Sequence, residues 1–238
     1  MEVRVLFWAP LLIIQIASNF ILKVLLLMTN THHLHHYDLP ANVKFNGPVA
    51  IDCEMMGLKV GRDRLCLVQL RDRAGDAHLV HFPEPKYTAP NLCRVLNDAK
   101  TLKIFHFGQT DIAYLHFYLG AVTTPIFDTK IAAKLARRNS DKHGLEDLCR
   151  DMLGIELSKV AQSSDWGAAT LTADQQKYAA RDVLYLHDLM DRLTILLERE
   201  GMADVAQLAF ANIANNGLIE SRGINTGALF AHSSSDRI

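Results

Sequence analysis

VAIDCEM, residues Val49 to Met55, is a short apolar run typical of a buried β-strand, yet it carries two acids. Side chains alternate across a strand, so Ala50, Asp52 and Glu54 share one face. Two like charges buried together are destabilising unless a cation or protons compensate them. The acid pair therefore suggests a metal site, although an edge strand with a wet polar face explains the same pattern.

The runs that follow predict the fold class. LCLVQL (Leu65 to Leu70) and AHLVHF (Ala77 to Phe82) are β-prone, and Arg71 to Asp76 is typical of a hairpin turn, which predicts a three-strand meander. Helices and strands then alternate. They are predicted as a helix over Asn91 to Asn97, a strand over Leu102 to Phe107 and a helix over Asp111 to Leu119 that Gly120 ends. This alternation indicates an α/β layer fold.

The chain after Phe127 is mostly helical. Helices are predicted over Asp128 to Arg138, Leu145 to Leu153, Thr172 to Arg199 and Ala203 to Ala214. Thr172, followed three residues later by Gln175, is a capping-box start for the long helix. Because the sequence contains no internal repeat and no long linker, we interpret this region as one domain.

The long predicted helix carries an acid on its apolar side. At 100° per residue, Tyr178, Leu186, Leu189 and Leu193 all lie within about 40° of Asp182. Tyr178 is one turn before Asp182, which puts a phenol beside the carboxylate. Taken alone, the pair is best interpreted as a boundary arrangement in which the tyrosine hydroxyl caps the acid.

Asp111 is the fourth acid of interest. It follows the strand LKIFHF and opens a helix, where the helix dipole favours an acid for structural reasons alone. The functional alternative is positional, because ligands gather at the carboxyl ends of strands in α/β sheets, where Asp52 and Glu54 would also lie. Converging carboxylates can hold two divalent cations, Mg²⁺ or Mn²⁺, that cleave a phosphodiester, with Asp52 as the natural bridge.

Composition limits the function classes. With 25 Lys and Arg against 26 Asp and Glu, the net charge of −1 excludes binding of nucleic acid by bulk positive charge, as histones do. The 4 cysteines are scattered and show neither zinc-ribbon spacing nor a disulfide framework. We therefore expect a reducing, cytoplasmic location.

The N-terminal segment, residues 1–28, is apolar and allows three hypotheses. The run over residues 5–28 is long enough to span a bilayer and carries one charge, Lys23. Gln15, Asn19 and Lys23 would form one polar stripe on a helix. The favoured hypothesis is a leader upstream of a true start at Met28. A membrane anchor is the second hypothesis, and a secretion signal is the third.

A histidine-rich stretch follows, THHLHHY over Thr31 to Tyr37. Four histidines in five residues are able to bind a transition metal. Because no cysteine or carboxylate stands beside them in the sequence, we interpret the stretch as a solvated loop without a role.

Several motifs, in order, resemble the ribonuclease D group of 3′-to-5′ exonucleases, within the set named for four acids and a tyrosine. The resemblance covers about residues 29–217. The motifs are VAIDCEMMGL (Val49 to Leu58), RLCLVQL (Arg64 to Leu70), KIFHFGQTDIAYL (Lys103 to Leu115), FDTKIAAKLAR (Phe127 to Arg137), HGLEDLC (His143 to Cys149), QSSDWG (Gln162 to Gly167) and YAARDVLYL (Tyr178 to Leu186). Each motif alone is ordinary, but all of them in this order make a specific match.

The resemblance implies a site and a fold. It implies that Asp52, Glu54, Asp111 and Asp182 are the metal ligands and that Tyr178 orients the attacking water. The sister group carries a histidine five residues before the last acid, where this chain has Lys177. The implied fold is ribonuclease-H-like, α/β, with a mixed five-stranded sheet whose second strand is antiparallel, flanked by helices.

The chain departs from the family pattern beside two ligands. Thr110 stands where an aromatic residue is usual, and Met55 stands where threonine is frequent, which affects how the terminal nucleotide is held. Met55, His106, Lys130 and Lys159 are the predicted substrate contacts. His106 is not needed as a base, because the tyrosine has the water-positioning role. The basic residues around Lys130 and Lys159 are interleaved with acids, so a merely solvated helical surface explains them as well.

The implied activity is release of 5′-mononucleotides from RNA 3′ ends, such as those of tRNA or other structured RNA. DNA or short oligonucleotides are the alternative substrates, and a catalytically silent binding domain is the alternative class. The resemblance also suggests a stand-alone catalytic form, with a domain over residues 29–217 and a polar tail over residues 218–238. Membrane association is expected only if residues 5–28 form an anchor.

Overall fold

The computed structural model describes residues 31–157 and 164–232. The predicted N-terminal segment and Lys159 lie outside these ranges. Within them, no helix has both the length and the apolar character that a membrane crossing requires.

Six strands form one mixed sheet. The strands are β1 (His32–His36), β2 (Val49–Met55), β3 (Leu65–Arg71), β4 (Ala77–His81), β5 (Lys103–Phe105) and β6 (Ile126–Asp128). Their order across the sheet is β1-β4-β3-β2-β5-β6. β3 is antiparallel to both of its neighbours, whereas the pairs β1–β4, β2–β5 and β5–β6 are parallel. The predicted α/β class, the meander and the antiparallel second strand are confirmed.

The sheet has one strand more than the predicted five. The prediction of a solvated loop at the histidine-rich stretch is wrong, because His32–His36 pairs in parallel with Ala77–His81. The physical reason is that β4 would otherwise leave its outer row of backbone N–H and C=O groups unpaired. β1 thus becomes one of the two edge strands of the sheet, opposite β6.

Helices cover the sheet. They are α1 (Pro90–Leu96), α2 (Gln109–Leu119), α3 (Thr129–Ala136), α4 (Leu145–Leu148), α5 (Ala173–Asp182), α6 (Leu186–Arg199), α7 (Ala203–Glu220) and α8 (Thr226–Leu229), with a π-helical turn over Cys149–Leu153 after α4. Gly120 ends α2 in a left-handed conformation with φ 66°, as predicted. β3 is buried along nearly its whole length, which places the core between the sheet and the helices.

The long helix predicted over Thr172 to Arg199 is two helices, so that prediction is wrong. Its capping box is present: the Thr172 side chain accepts from the backbone N–H of Gln175, and the Gln175 side chain accepts from the backbone N–H of Thr172. The chain turns after Asp182, where the N–H of Leu184 donates to the carbonyl of Arg181 at 3.0 Å. The helical-wheel relation of Asp182 to the leucines of α6 therefore does not hold, whereas its relation to Tyr178 within α5 does.

Candidate active site

Three carboxylates from two elements meet in one place. Asp52 and Glu54 project from one face of β2, and Asp182 is the last residue of α5. One carboxylate oxygen of each residue lies within 4.8 Å of those of the other two, and all three residues are partly buried. The alternation in β2 thus brings two acids to one side of the sheet, and the end of α5 brings the third.

Burial raises the pKa values of these three carboxyl groups. Burial, followed by the negative charges of Asp182 and Asp111, raises the pKa of Glu54 to about 9. Burial also raises the pKa of Asp182 to about 6, although the charge of Arg181 and a hydrogen bond from Tyr178 oppose this. The pKa of Asp52 is raised as well, first by burial and then by the charges of neighbouring acids, Asp111 first. Without a cation, protons compensate the repulsion among these acids.

Asp111 lies in the first turn of α2 and is 8% exposed. Burial raises its pKa to about 7. It does not belong to the group of three within 4.8 Å, but its charge is the largest electrostatic cause of the raised pKa of Asp52. The thiol of Cys53, between the two acids of β2, forms a hydrogen bond with Asp111. Asp111 therefore adjoins the three carboxylates.

Tyr178 lies one helical turn before Asp182 and hydrogen bonds to it. Burial, together with the charges of Asp182 and Glu54, raises its pKa above the ordinary value, so the phenol keeps its proton at neutral pH. The ring centres of Trp166 and Tyr178 are 6.0 Å apart, and Cζ of the Arg181 guanidinium lies 4.7 Å from the ring centre of Tyr178. These neighbours fix the hydroxyl beside the acids.

Two residues that sequence reasoning missed support the acids. The Nε2 of Gln69 donates to Oδ2 of Asp52 at 3.3 Å, and the two residues are paired in the β2–β3 register. The guanidinium of Arg181 lies 3.7 Å from Oδ1 of Asp182. Gln69 was detectable as the one polar side chain inside LCLVQL, whereas Arg181 carried no signal beyond its position next to Asp182.

A cleft of about 360 Å³ opens over Asp52 and Asp182. The cleft is lined by Asp52, His106, Gly144, Leu145, Glu146, Asp147, Leu157, Tyr178, Arg181 and Asp182. His106 Nδ1 lies 2.9 Å from Oγ1 of Thr129, and burial lowers the pKa of His106 to about 3, so its imidazole is neutral. A neutral, buried imidazole agrees with the interpretation that His106 is not the catalytic base.

The other predicted substrate contacts differ in their placement. Met55 ends β2 at a register shift against β3, which turns the chain just beyond Glu54. Lys130 Nζ lies 4.4 Å from the ring centre of Phe107. Phe107 was missed: it follows His106, is 40% exposed and has φ 64°, a left-handed conformation that is unusual for a bulky side chain.

Comparison with known proteins identifies the family of the chain. Residues 34–198 match the family described as 3′-5′ exonuclease. Ribonuclease D of Gluconacetobacter diazotrophicus is 32% identical over 156 residues, 66% of this chain but 39% of that protein, so the chain spans about two fifths of this relative. NrnC of Brucella melitensis bound to pGG is 41% identical with a TM-score of 0.81, over 86% of this chain and 100% of that one. The NrnC structure with bound Mg²⁺ is 40% identical with a TM-score of 0.79, over 85% and 100%. The chain therefore belongs to the 3′-5′ exonuclease family.

Proposed function

We propose that the protein is a metal-dependent 3′-to-5′ exonuclease that releases 5′-mononucleotides from RNA 3′ ends by a two-metal-ion mechanism. The observation that carries this proposal is the convergence of Asp52, Glu54 and Asp182 within 4.8 Å. Partly buried acids that repel one another at such distances have a clear use as ligands of divalent cations.

The donor set fits Mg²⁺ or Mn²⁺. Every atom of the group is a carboxylate oxygen, which hard divalent cations prefer. The raised pKa values of Glu54 and Asp182 mean that a cation would replace protons as the compensating charge. The NrnC structure with bound Mg²⁺ supports the choice of metal. We assign Asp52, Glu54, Asp182 and the adjoining Asp111 as the residues that would hold the ions.

The residues of the chain position the reaction. When bound, the divalent ions would supply an activated water and would stabilise the leaving oxygen of the phosphodiester. Tyr178 orients the attacking water through its hydroxyl, and because its pKa is raised it acts by hydrogen bonding and not as a base. Gln69 holds Asp52, and Arg181 holds Asp182.

The RNA strand leaves the cleft over the loop that follows β5. His106 lines the cleft. Phe107 follows His106 in the chain, and its exposed ring lies under Lys130. An aromatic face beside a cation is suited to a stacked base and its phosphate. We assign this surface, with Met55, to contact with the terminal nucleotides.

Very short oligonucleotides are the second candidate substrate. The observation that favours them is that NrnC, 41% identical over 86% of this chain, has a structure bound to pGG. The chemistry at the phosphodiester would be the same, and only the length of strand held in the cleft would differ.

A nuclease assay tests the function. We expect the protein to release mononucleotides from the 3′ end of labelled RNA in Mg²⁺ or Mn²⁺ and to stop when a chelator is added. Matched DNA and a dinucleotide, supplied in competition, rank the three substrates. Undiminished activity in chelator would exclude the mechanism.

The variant Asp182→Asn tests the assignment of Asp182 as a metal ligand. It should reduce kcat more than about 100-fold, because metal stabilisation of the transition state is worth several kcal/mol. Asp188→Asn is the matched control, since Asp188 lies on α6 beside Arg73, outside the cleft. Equal activity of the two variants would contradict the assignment of Asp182.

A further inference from the structure

A second group of potential metal ligands lies at the β1 edge of the sheet. In the parallel register His33 is opposite His78, and His35 follows His33 on the same face of β1. Asp76 immediately precedes β4. Three imidazoles and one carboxylate thus lie side by side on one face, although His33 is 43 residues from Asp76 in the sequence and His35 is 43 residues from His78.

Two of the imidazoles are spaced as ligands of one ion. Nε2 of His35 lies 3.0 Å from Nδ1 of His78. Two nitrogens bound at about 2.0–2.1 Å to one metal ion, with an angle near 90–110° between them, lie about 3 Å apart. Because two protonated nitrogens cannot approach this closely, at least one of them presents a lone pair.

The third imidazole is held by a carboxylate. Nε2 of His33 lies 2.9 Å from Oδ2 of Asp76, and the ring centres of His33 and His78 are 5.3 Å apart. A carboxylate bonded to one ring nitrogen orients the ring and raises the basicity of the other nitrogen, as it does around bound zinc. The His33 side chain is 50% exposed, which leaves it room to turn toward the pair.

We propose that His33, His35 and His78 bind one divalent transition-metal ion, Zn²⁺, Ni²⁺ or Cu²⁺, with Asp76 orienting His33. Imidazole ligands select these ions over Mg²⁺, so the site differs in chemistry from the carboxylate cleft. The bound ion would join β1 to β4 and stabilise the edge of the sheet. The sequence argued against a site at THHLHHY because no carboxylate stood beside it, and the strand pairing supplies one.

Calorimetric titration with Zn²⁺ tests the proposal. Excess Mg²⁺ keeps the carboxylate cleft occupied by a hard cation during the titration. We expect His78→Gln to weaken Zn²⁺ binding at least about tenfold and Asp76→Asn to weaken it about 10- to 100-fold. His36→Gln is the matched control, because His36 lies on the opposite face of β1 against His81. Equal affinity in wild type, His78→Gln and His36→Gln would overturn the proposal.

A spectroscopic measurement on the wild-type protein keeps the test independent of any folding defect in the variants. With Cu²⁺ in place of Zn²⁺, the electron paramagnetic resonance spectrum should show coupling to two or more imidazole nitrogens. A spectrum of oxygen ligands alone would overturn the site. Nuclease activity in Mg²⁺ should be unchanged in His78→Gln, which separates this site from the proposed function.

Discussion

The role that we propose for Tyr178 depends on a single atom, its hydroxyl oxygen. Tyr178→Phe removes the hydroxyl that bonds to Asp182 but no metal ligand. We expect kcat for RNA to fall about 10- to 100-fold with KM nearly unchanged, because one hydrogen bond to a charged group is worth about 1.5–3 kcal/mol. Tyr118→Phe is the matched control, since its hydroxyl donates to the carbonyl of Asp63 at 2.8 Å. Steady-state kinetics on both variants decide, and an unaffected kcat in Tyr178→Phe would rule out the water-orienting role.

The unusual backbone conformation of Phe107 supports its assignment to the RNA-contacting surface. A phenylalanine with φ 64° is disfavoured for steric reasons, and its ring is exposed under Lys130. Phe107→Asn keeps a residue that tolerates this conformation but removes the ring. We expect KM for RNA to rise at least about fivefold, because stacking of one base contributes about 1–3 kcal/mol.

The control for this prediction is another exposed phenylalanine. Phe117 is 49% exposed on α2, away from the cleft lining, and Phe117→Ala should leave KM unchanged. If Phe107→Asn binds RNA as tightly as wild type, the loop after β5 does not carry the strand.

At the scale of elements, α5 is the helix that positions two residues of the site. It carries Tyr178 and Asp182, and its first turn is fixed by Gln175, whose Nε2 also donates to the carbonyl of Asp165 at 3.0 Å. The chain turn after Asp182 ends the helix at the acid. The orientation of both functional side chains therefore depends on how this one helix is held.

The capping box of α5 is testable by stability. Thr172→Ala removes the oxygen that accepts from Gln175 N at 3.2 Å. We expect the free energy of unfolding to fall by about 1 kcal/mol, the usual cost of losing an N-cap. Thr170→Ala is the matched control, because Thr170 is exposed and lies just before the helix. Denaturant unfolding of both variants measures the difference, and equal stability would show that the cap contributes nothing.

At the scale of the whole molecule, the acid cluster couples folding to metal and pH. The folded, metal-free protein holds a proton on Glu54 up to a pKa of about 9, whereas the unfolded chain releases it near 4.5. The contribution of the Glu54 carboxyl to the free energy of unfolding is therefore fully present below pH 4.5 and is lost as the pH rises to about 9. The proposed divalent cations would bind the folded state and reverse that loss.

Glu54→Gln tests this coupling. In chelator at pH 8, we expect the variant to be at least about 1 kcal/mol more stable than wild type, since glutamine does not ionise and adds no negative charge beside Asp52 and Asp182. Added Mg²⁺ should raise the melting temperature of wild type more than that of the variant. Calorimetry at pH 8, in chelator and in Mg²⁺, measures both effects, and a wild-type melting temperature that does not change with Mg²⁺ would contradict the shared cation site.

The sequence by itself determined the features that depend on near neighbours along the chain. Strand alternation put Asp52 and Glu54 on one face, the hairpin joined β3 to β4, and the spacing of Thr172 and Gln175 started α5. Each of these follows from backbone geometry within a few residues. The ordered motifs added the fold class and the family.

Only the tertiary structure decided what depends on distant segments. It brought Asp182 within 4.8 Å of the acids of β2, paired Gln69 with Asp52, broke the helix after Asp182 and made the histidine-rich stretch an edge strand. Sheet register and helix packing are set by contacts between segments far apart in the chain. The local periodicity of the sequence does not specify which segments make those contacts. The same pairing that completes the sheet places three histidines and an aspartate side by side.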